Sequence, residues 1–124
     1  MSLFFGKKKK KQADRPVFSC SVPYSEHFKG YKRITISKYS DPIAEAGLKR
    51  FKAAPDAKVV TFEEYLYPDT SPLMRVIIDG NRVGTIWSTS YEDYYKKIRS
   101  GKCVRASVGY NDWDNVFLFV KFSE

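Results

Sequence analysis

The chain has 124 residues, 43% of them apolar and 16% aromatic, which is the length and composition of one folded domain and excludes a disordered chain. Its net charge is +8, but five of those charges are the run from Lys7 to Lys11, which leaves +3 for the rest, so the basicity is mostly a property of a tail. No apolar run approaches the about 18 residues of a membrane span, and Cys20 and Cys103, the only cysteines, lack the paired spacing of a disulfide or metal framework.

Residues 1–15 are expected to form a flexible basic tail, with residues 16–124 as a single domain. Leu3, Phe4 and Phe5 ahead of the lysines offer a contact for an anionic membrane surface or nucleic acid; the plainer reading is a solvated terminus. Met1 to Gly6 is too short for the core of a signal peptide, so the expected setting is cytoplasmic, with both thiols reduced and serving as small apolar residues.

Val17 to Val22 alternates as a first strand, ended by Pro23. Tyr24 to Tyr31 reads as a loop of aromatic and polar groups, and Arg33 to Ser37 as a short second strand with Ile34 and Ile36 on one side. His27, the sole histidine, has no nucleophile motif near it and is read as a surface residue. A helix then starts, with Asp41 as cap, Pro42 at the first helical position and Glu45 at the positive end of the dipole. Ala44, Gly47, Leu48 and Phe51 form its buried stripe, Lys49, Arg50 and Lys52 suit its C-terminal end, and Ala53-Ala54-Pro55-Asp56 stops it.

Lys58 to Tyr67 is the next expected strand. Val60, Phe62, Glu64 and Leu66 alternate with Val59, Thr61, Glu63, Tyr65 and Tyr67, so the adjacent glutamates point to opposite faces and cannot work as a paired acid and base. Pro68 to Pro72 breaks the ladder. Leu73 to Trp87 is a hairpin around Asp79-Gly80-Asn81-Arg82, with Gly80-Asn81 expected to supply the positive φ angles of the turn. Met74, Val76 and Ile78 face one way and Arg75 the other. On the return, Gly84 and Ile86 alternate with Val83, Thr85 and Trp87.

Thr89-Ser90-Tyr91-Glu92 has capping-box spacing, and Tyr91, Tyr94, Tyr95 and Ile98 follow as one helical stripe. Such a stripe serves either core packing, with hydroxyls at the rim, or base stacking. Ser100-Gly101 closes the helix. Lys102 to Tyr110 is expected to set Val104, Ala106, Val108 and Tyr110 on one side. After a turn at Asn111 to Asn115, Val116 to Phe122 returns with apolar residues on both faces, which implies a strand covered twice or a surface that meets a partner. Asp112 and Asp114 lack the further ligands of a calcium loop. The order of elements predicts an α+β fold, mainly β: a small, partly closed antiparallel OB-like barrel with two inserted helices.

The run Glu64-Tyr65-Leu66-Tyr67-Pro68-Asp69, then Met74 to Ile86, then a helix, resembles the centre of the HIRAN domain. That family has an acidic residue, a loop containing Tyr and Asp, a V-x-V strand, a turn, and a (V/I)-G-(H/Y)-(I/L) strand before a helix. Val17 to Tyr24 is similar to its first strand and aromatic loop. The family's N-P-x-D-x-N-A loop is here reduced to Pro68-Asp69, and Thr85 stands where His or Tyr is usual. The resemblance implies a barrel that holds the 3′ end of single-stranded DNA, with Tyr24, Tyr67, Asp69, Arg75 and Trp87 as the nucleic-acid-binding candidates. It implies no catalytic residue, metal or cofactor. With one histidine, no glycine-rich phosphate loop and no nucleophile motif, the residues point the same way, to a non-enzymatic module. The alternative is a protein-interaction module or homodimer using the apolar strand Val116 to Phe122 with Trp113 beside it.

Overall fold

The computed structural model describes residues 15–37, 41–53, 56–111, 113 and 115–123. The tail, with Lys7 to Lys11, and the two turn aspartates, Asp112 and Asp114, lie outside them. Among the described residues, seven strands and two helices run in the order β1 (Phe18–Pro23), β2 (Lys32–Ile36), α1 (Pro42–Ala53), β3 (Val59–Tyr65), β4 (Leu73–Ile78), β5 (Asn81–Trp87), α2 (Glu92–Arg99), β6 (Cys103–Tyr110) and β7 (Val116–Phe122).

The strands pair into two antiparallel sheets, β1-β3-β4-β5 and β2-β7-β6. The fold is thus mainly β with two helices, and it is not one closed barrel. The sheets meet at both edges through isolated bridges. Tyr24 pairs with Ala106 in parallel, beside a 2.8 Å bond from the Ser25 amide to the Ala106 carbonyl. Ser37 pairs with Thr85 antiparallel, exchanging backbone bonds of 2.9 and 2.7 Å. Between the sheets lies a core that includes Phe62, Ile34, Met74, Ile78, Ile86 and Leu118, side chains that are all but sealed from solvent.

Each helix buries a stripe of residues. On α1, Ala44, Gly47, Leu48 and Phe51 are buried, as their spacing predicts. Gly47 lies so close to β5 that a Cβ there would sit 1.8 Å from the Arg82 carbonyl oxygen, so only glycine allows this approach. On α2, Tyr95 and Ile98 enter the core while Tyr91 and Tyr94 stay half-buried. The Tyr95 hydroxyl donates a 2.7 Å bond to the buried Glu64, which also accepts from Arg99 Nε at 2.7 Å. Glu63 turns to the other face, as strand alternation requires.

Four expectations are corrected by the backbone. The hairpin turn is Asp79-Gly80, with φ of 48° and 87°, and not Gly80-Asn81. Asp79 tolerates the left-handed region because its carboxylate accepts the Lys58 and Val59 amides at 3.0–3.2 Å, tying the turn to β3. The capping box does not form: α2 starts at Glu92 with Tyr91 as its uncapped N-cap residue. A register shift between Cys103 and Arg105 turns Val104 out to solvent, and Tyr110 is exposed as well. A second shift, between Val76 and Ile77, breaks the simple alternation of β5, so that Val83, Gly84, Thr85 and Ile86 are all buried.

The outer face of β7 is covered from within the chain. Phe28 stacks on Phe119 at 4.1 Å between ring centroids, and the Arg33 guanidinium lies 5.2 Å from the Phe117 ring.

Candidate functional site

The β5 irregularity builds the site. Arg75 on β4 lies opposite Thr85, and Ile77 lies opposite Arg82. Arg75 and Ile77 share a face by the two-residue period, so Thr85 and Arg82 share it too, although they are three residues apart. A regular strand would have sent one of them to the other face. The result is two guanidinium groups and a hydroxyl on one side of the hairpin.

The N-terminus of α1 completes the cluster. Asp41 Oδ1 accepts the Ala44 amide at 3.1 Å, the expected helix cap. The same carboxylate accepts Arg82 at 3.2 Å on both oxygens and Arg75 at 3.3 Å on Oδ2. Arg75 also donates to Thr85 Oγ1 at 3.2 Å and to the Tyr67 hydroxyl at 3.4 Å, with its guanidinium 5.6 Å from the Tyr65 ring. Its buried Nε finds no partner among the described residues. Two cations share the Asp41 carboxylate, and Glu63, opposite Arg75 across β3 and β4, brings a second carboxylate to the same face.

This cluster floors a cleft of about 230 Å³ whose walls include Ser37, Leu73 and Trp87. Ser37, Thr85 and Trp87 also line a neighbouring cleft of about 420 Å³ whose walls include Tyr91, so the two clefts adjoin. Trp87 is 36% exposed and presents a ring to both. The Thr35 amide donates to the Tyr91 hydroxyl at 3.1 Å and holds that phenol below its usual range. Charged side chains line the first cleft, and the Trp87 and Tyr91 rings line the second. Among the described residues no cluster of His, Cys, Asp and Glu has the makings of a metal site.

Of the five residues singled out from the sequence, Arg75 and Trp87 line this cleft, and Tyr67 reaches it only through its hydroxyl, 3.4 Å from Arg75. Asp69 is exposed in the β3–β4 loop and touches none of the cluster. Tyr24 is elsewhere. Its ring packs edge-on to Phe51 at 6.2 Å and its hydroxyl donates to the Val108 carbonyl at 3.2 Å. Phe51 lies ten residues beyond Asp41 on α1, about 15 Å along the helix at a rise of about 1.5 Å per residue, which puts Tyr24 at the far end from the arginines.

Asp41, Arg82 and Thr85 escape a reading of the sequence. Asp41 already has a local duty as a cap, and Arg82 passes for a turn residue. The bonds that unite them with the cleft span 34 and 41 residues. One signal was available: strict alternation would have put Arg82 on the buried face with Gly84 and Ile86, a conflict that a bulge resolves. No family model, curated protein or solved structure matches this chain.

Proposed function

We propose that the two bridged sheets form a partly closed, OB-like barrel of the HIRAN type, and that the protein is a non-enzymatic module binding single-stranded DNA at its Arg75–Trp87 cleft. The observation that carries this reading is the pairing of a cationic floor with an exposed indole. Arg75 and Arg82 line the cleft, the buried Arg75 Nε proton has no acceptor among the described residues, and Trp87 stands beside them. Phosphate suits guanidinium groups and a base suits the flat ring. Support for the barrel comes from the Tyr24–Ala106 and Ser37–Thr85 bridges, which join the two sheets edge to edge.

Fluorescence anisotropy with a labelled single strand tests the reading. Binding should weaken steadily with salt as counterions are released. Trp87→Ala should weaken it by about tenfold or more, since stacking one base on an aromatic ring contributes about 1–3 kcal/mol. A chain that binds no single strand at low salt overturns the proposal.

The protein-interaction alternative has one feature in its favour, Trp113, which is 83% exposed beside β7. Its support on β7 itself is narrower than the sequence suggests, because Phe28 and Arg33 already occupy that face. Light scattering separates the two readings: the alternative needs a dimer or larger species at high concentration, and the DNA reading does not.

A further inference from the structure

A second, larger groove, about 570 Å³, includes Gly30, Lys32, Lys97, Lys121 and Phe122 in its walls. Three lysines line it, and among the described residues no acidic side chain does. None of the three lysines makes an ion pair among the described residues, and all three are exposed. Like charges brought together repel one another, and a bound anion among them would relieve that repulsion.

A line of aromatic rings connects this groove to the cleft. Tyr91 lines the adjoining cleft with Trp87. The Tyr91 and Tyr94 rings are 6.3 Å apart and nearly parallel, at 12°. Tyr94 lies 5.7 Å from Phe122, and the Lys97 ammonium is 5.3 Å from the Phe122 centroid. Tyr91, Tyr94 and Lys97 recur every three residues on α2, so they follow one side of the helix over about 9 Å.

We propose that a single strand held at the Arg75–Trp87 cleft continues along α2 over these rings and places its phosphates in the Lys32–Lys97–Lys121 groove; this rests on the DNA reading above. Glu92 and Asp93 flank Tyr91 and Tyr94 and repel phosphate in the middle of the path. The middle therefore suits bases on ring faces, and the two ends suit phosphates on cations. An acidic peptide would match the lysines but would have no use for the rings between.

The test uses the full chain and two labelled single strands, of about four and about twelve nucleotides, because such folds cover about 4–16. In a variant carrying Lys32→Ala, Lys97→Ala and Lys121→Ala, affinity for the longer strand should fall at least about tenfold. Its salt slope should drop by about 2, given about 0.7 per phosphate for single strands. Affinity for the shorter strand should not change, and a thermal melt should overlay the wild type because the three side chains are exposed. An unchanged slope with the longer strand overturns the track and leaves the cleft reading intact. Absence of wild-type binding to either strand defeats the cleft reading, and the track with it. Equal competition by polyglutamate of matched charge overturns the proposal in favour of an acidic protein partner.

Discussion

Asp41 serves three neighbours with one carboxylate: it caps α1 and balances both Arg75 and Arg82. Asp41→Asn separates these duties, since asparagine caps a helix about as well as aspartate but carries no charge. Arg75 and Asp41 side chains are only 18% and 14% exposed, so the arginine would lose its counter-charge in a poorly solvated place. We expect a loss of about 1–3 kcal/mol in urea unfolding, below the about 3–5 kcal/mol of a fully buried pair because water still reaches the cluster. The carboxylate also holds the groups that a phosphate would need. Under the proposed function, the same variant should therefore bind a single strand several-fold more tightly while being less stable. Weaker binding at unchanged stability would show that Asp41 supports the ligand instead of competing with it.

At the scale of elements, the tight contacts are where glycine and the turn residues matter. Gly47→Ala adds a methyl group where the Arg82 carbonyl already stands, so α1 must move away from β5. Overpacking of this kind costs about 1–3 kcal/mol, and the gain of about 1 kcal/mol in helix propensity does not offset it. Chemical denaturation should show a clear net loss, and an unchanged midpoint would mean that α1 docks more loosely than described. Asp79→Ala should cost about 2 kcal/mol, through the left-handed backbone and the lost acceptors for Lys58 and Val59, whereas Asp79→Asn should be milder. These contacts also mark how far the sequence could be read. The stripe Ala44, Gly47, Leu48 and Phe51 and the inward set Val60, Phe62 and Glu64 were legible, because each follows the period of its own element. The turn was misplaced by one residue because Asp79 needs support from β3 to hold its backbone. The shift in β6 was invisible, and that in β5 left only the misplaced charge of Arg82, for a similar reason: a bulge is fixed by the partner strand, and Val83 and Val104 look like ordinary strand residues. Arg75 and Trp87 were singled out beside a family pattern and lie together at the cleft, while Asp41 and Arg82 were hidden by long-range pairing.

For the whole molecule, the core holds two weak acids in their neutral forms. Burial raises the Cys103 thiol from an ordinary 9.0 to about 12, with the neighbouring Cys20 adding to the shift. Tyr95 is pushed far above the usual phenol value of 10.0, first by burial and then by its bond to the Glu64 carboxylate. An acid whose pKa is raised on folding holds its proton more tightly in the native state. Its contribution to stability is fully present below the unfolded pKa and is lost as pH rises toward the folded one. Stability against heat or urea should therefore hold up to about pH 9 on account of these groups, then fall continuously between about 9 and 12. Cys103→Ala removes the thiol and should make that fall shallower, with the remainder due to Tyr95, Cys20 and Tyr65, whose protons burial also holds. Consistent with this, a thiol reagent at pH 8 should modify Cys103 only as fast as the core opens, and unfolding with urea should expose it at once. Rapid labelling of Cys103 in the native protein, or a stability profile that stays level past pH 10, would refute the sealed core in which β6 and α2 place these two groups.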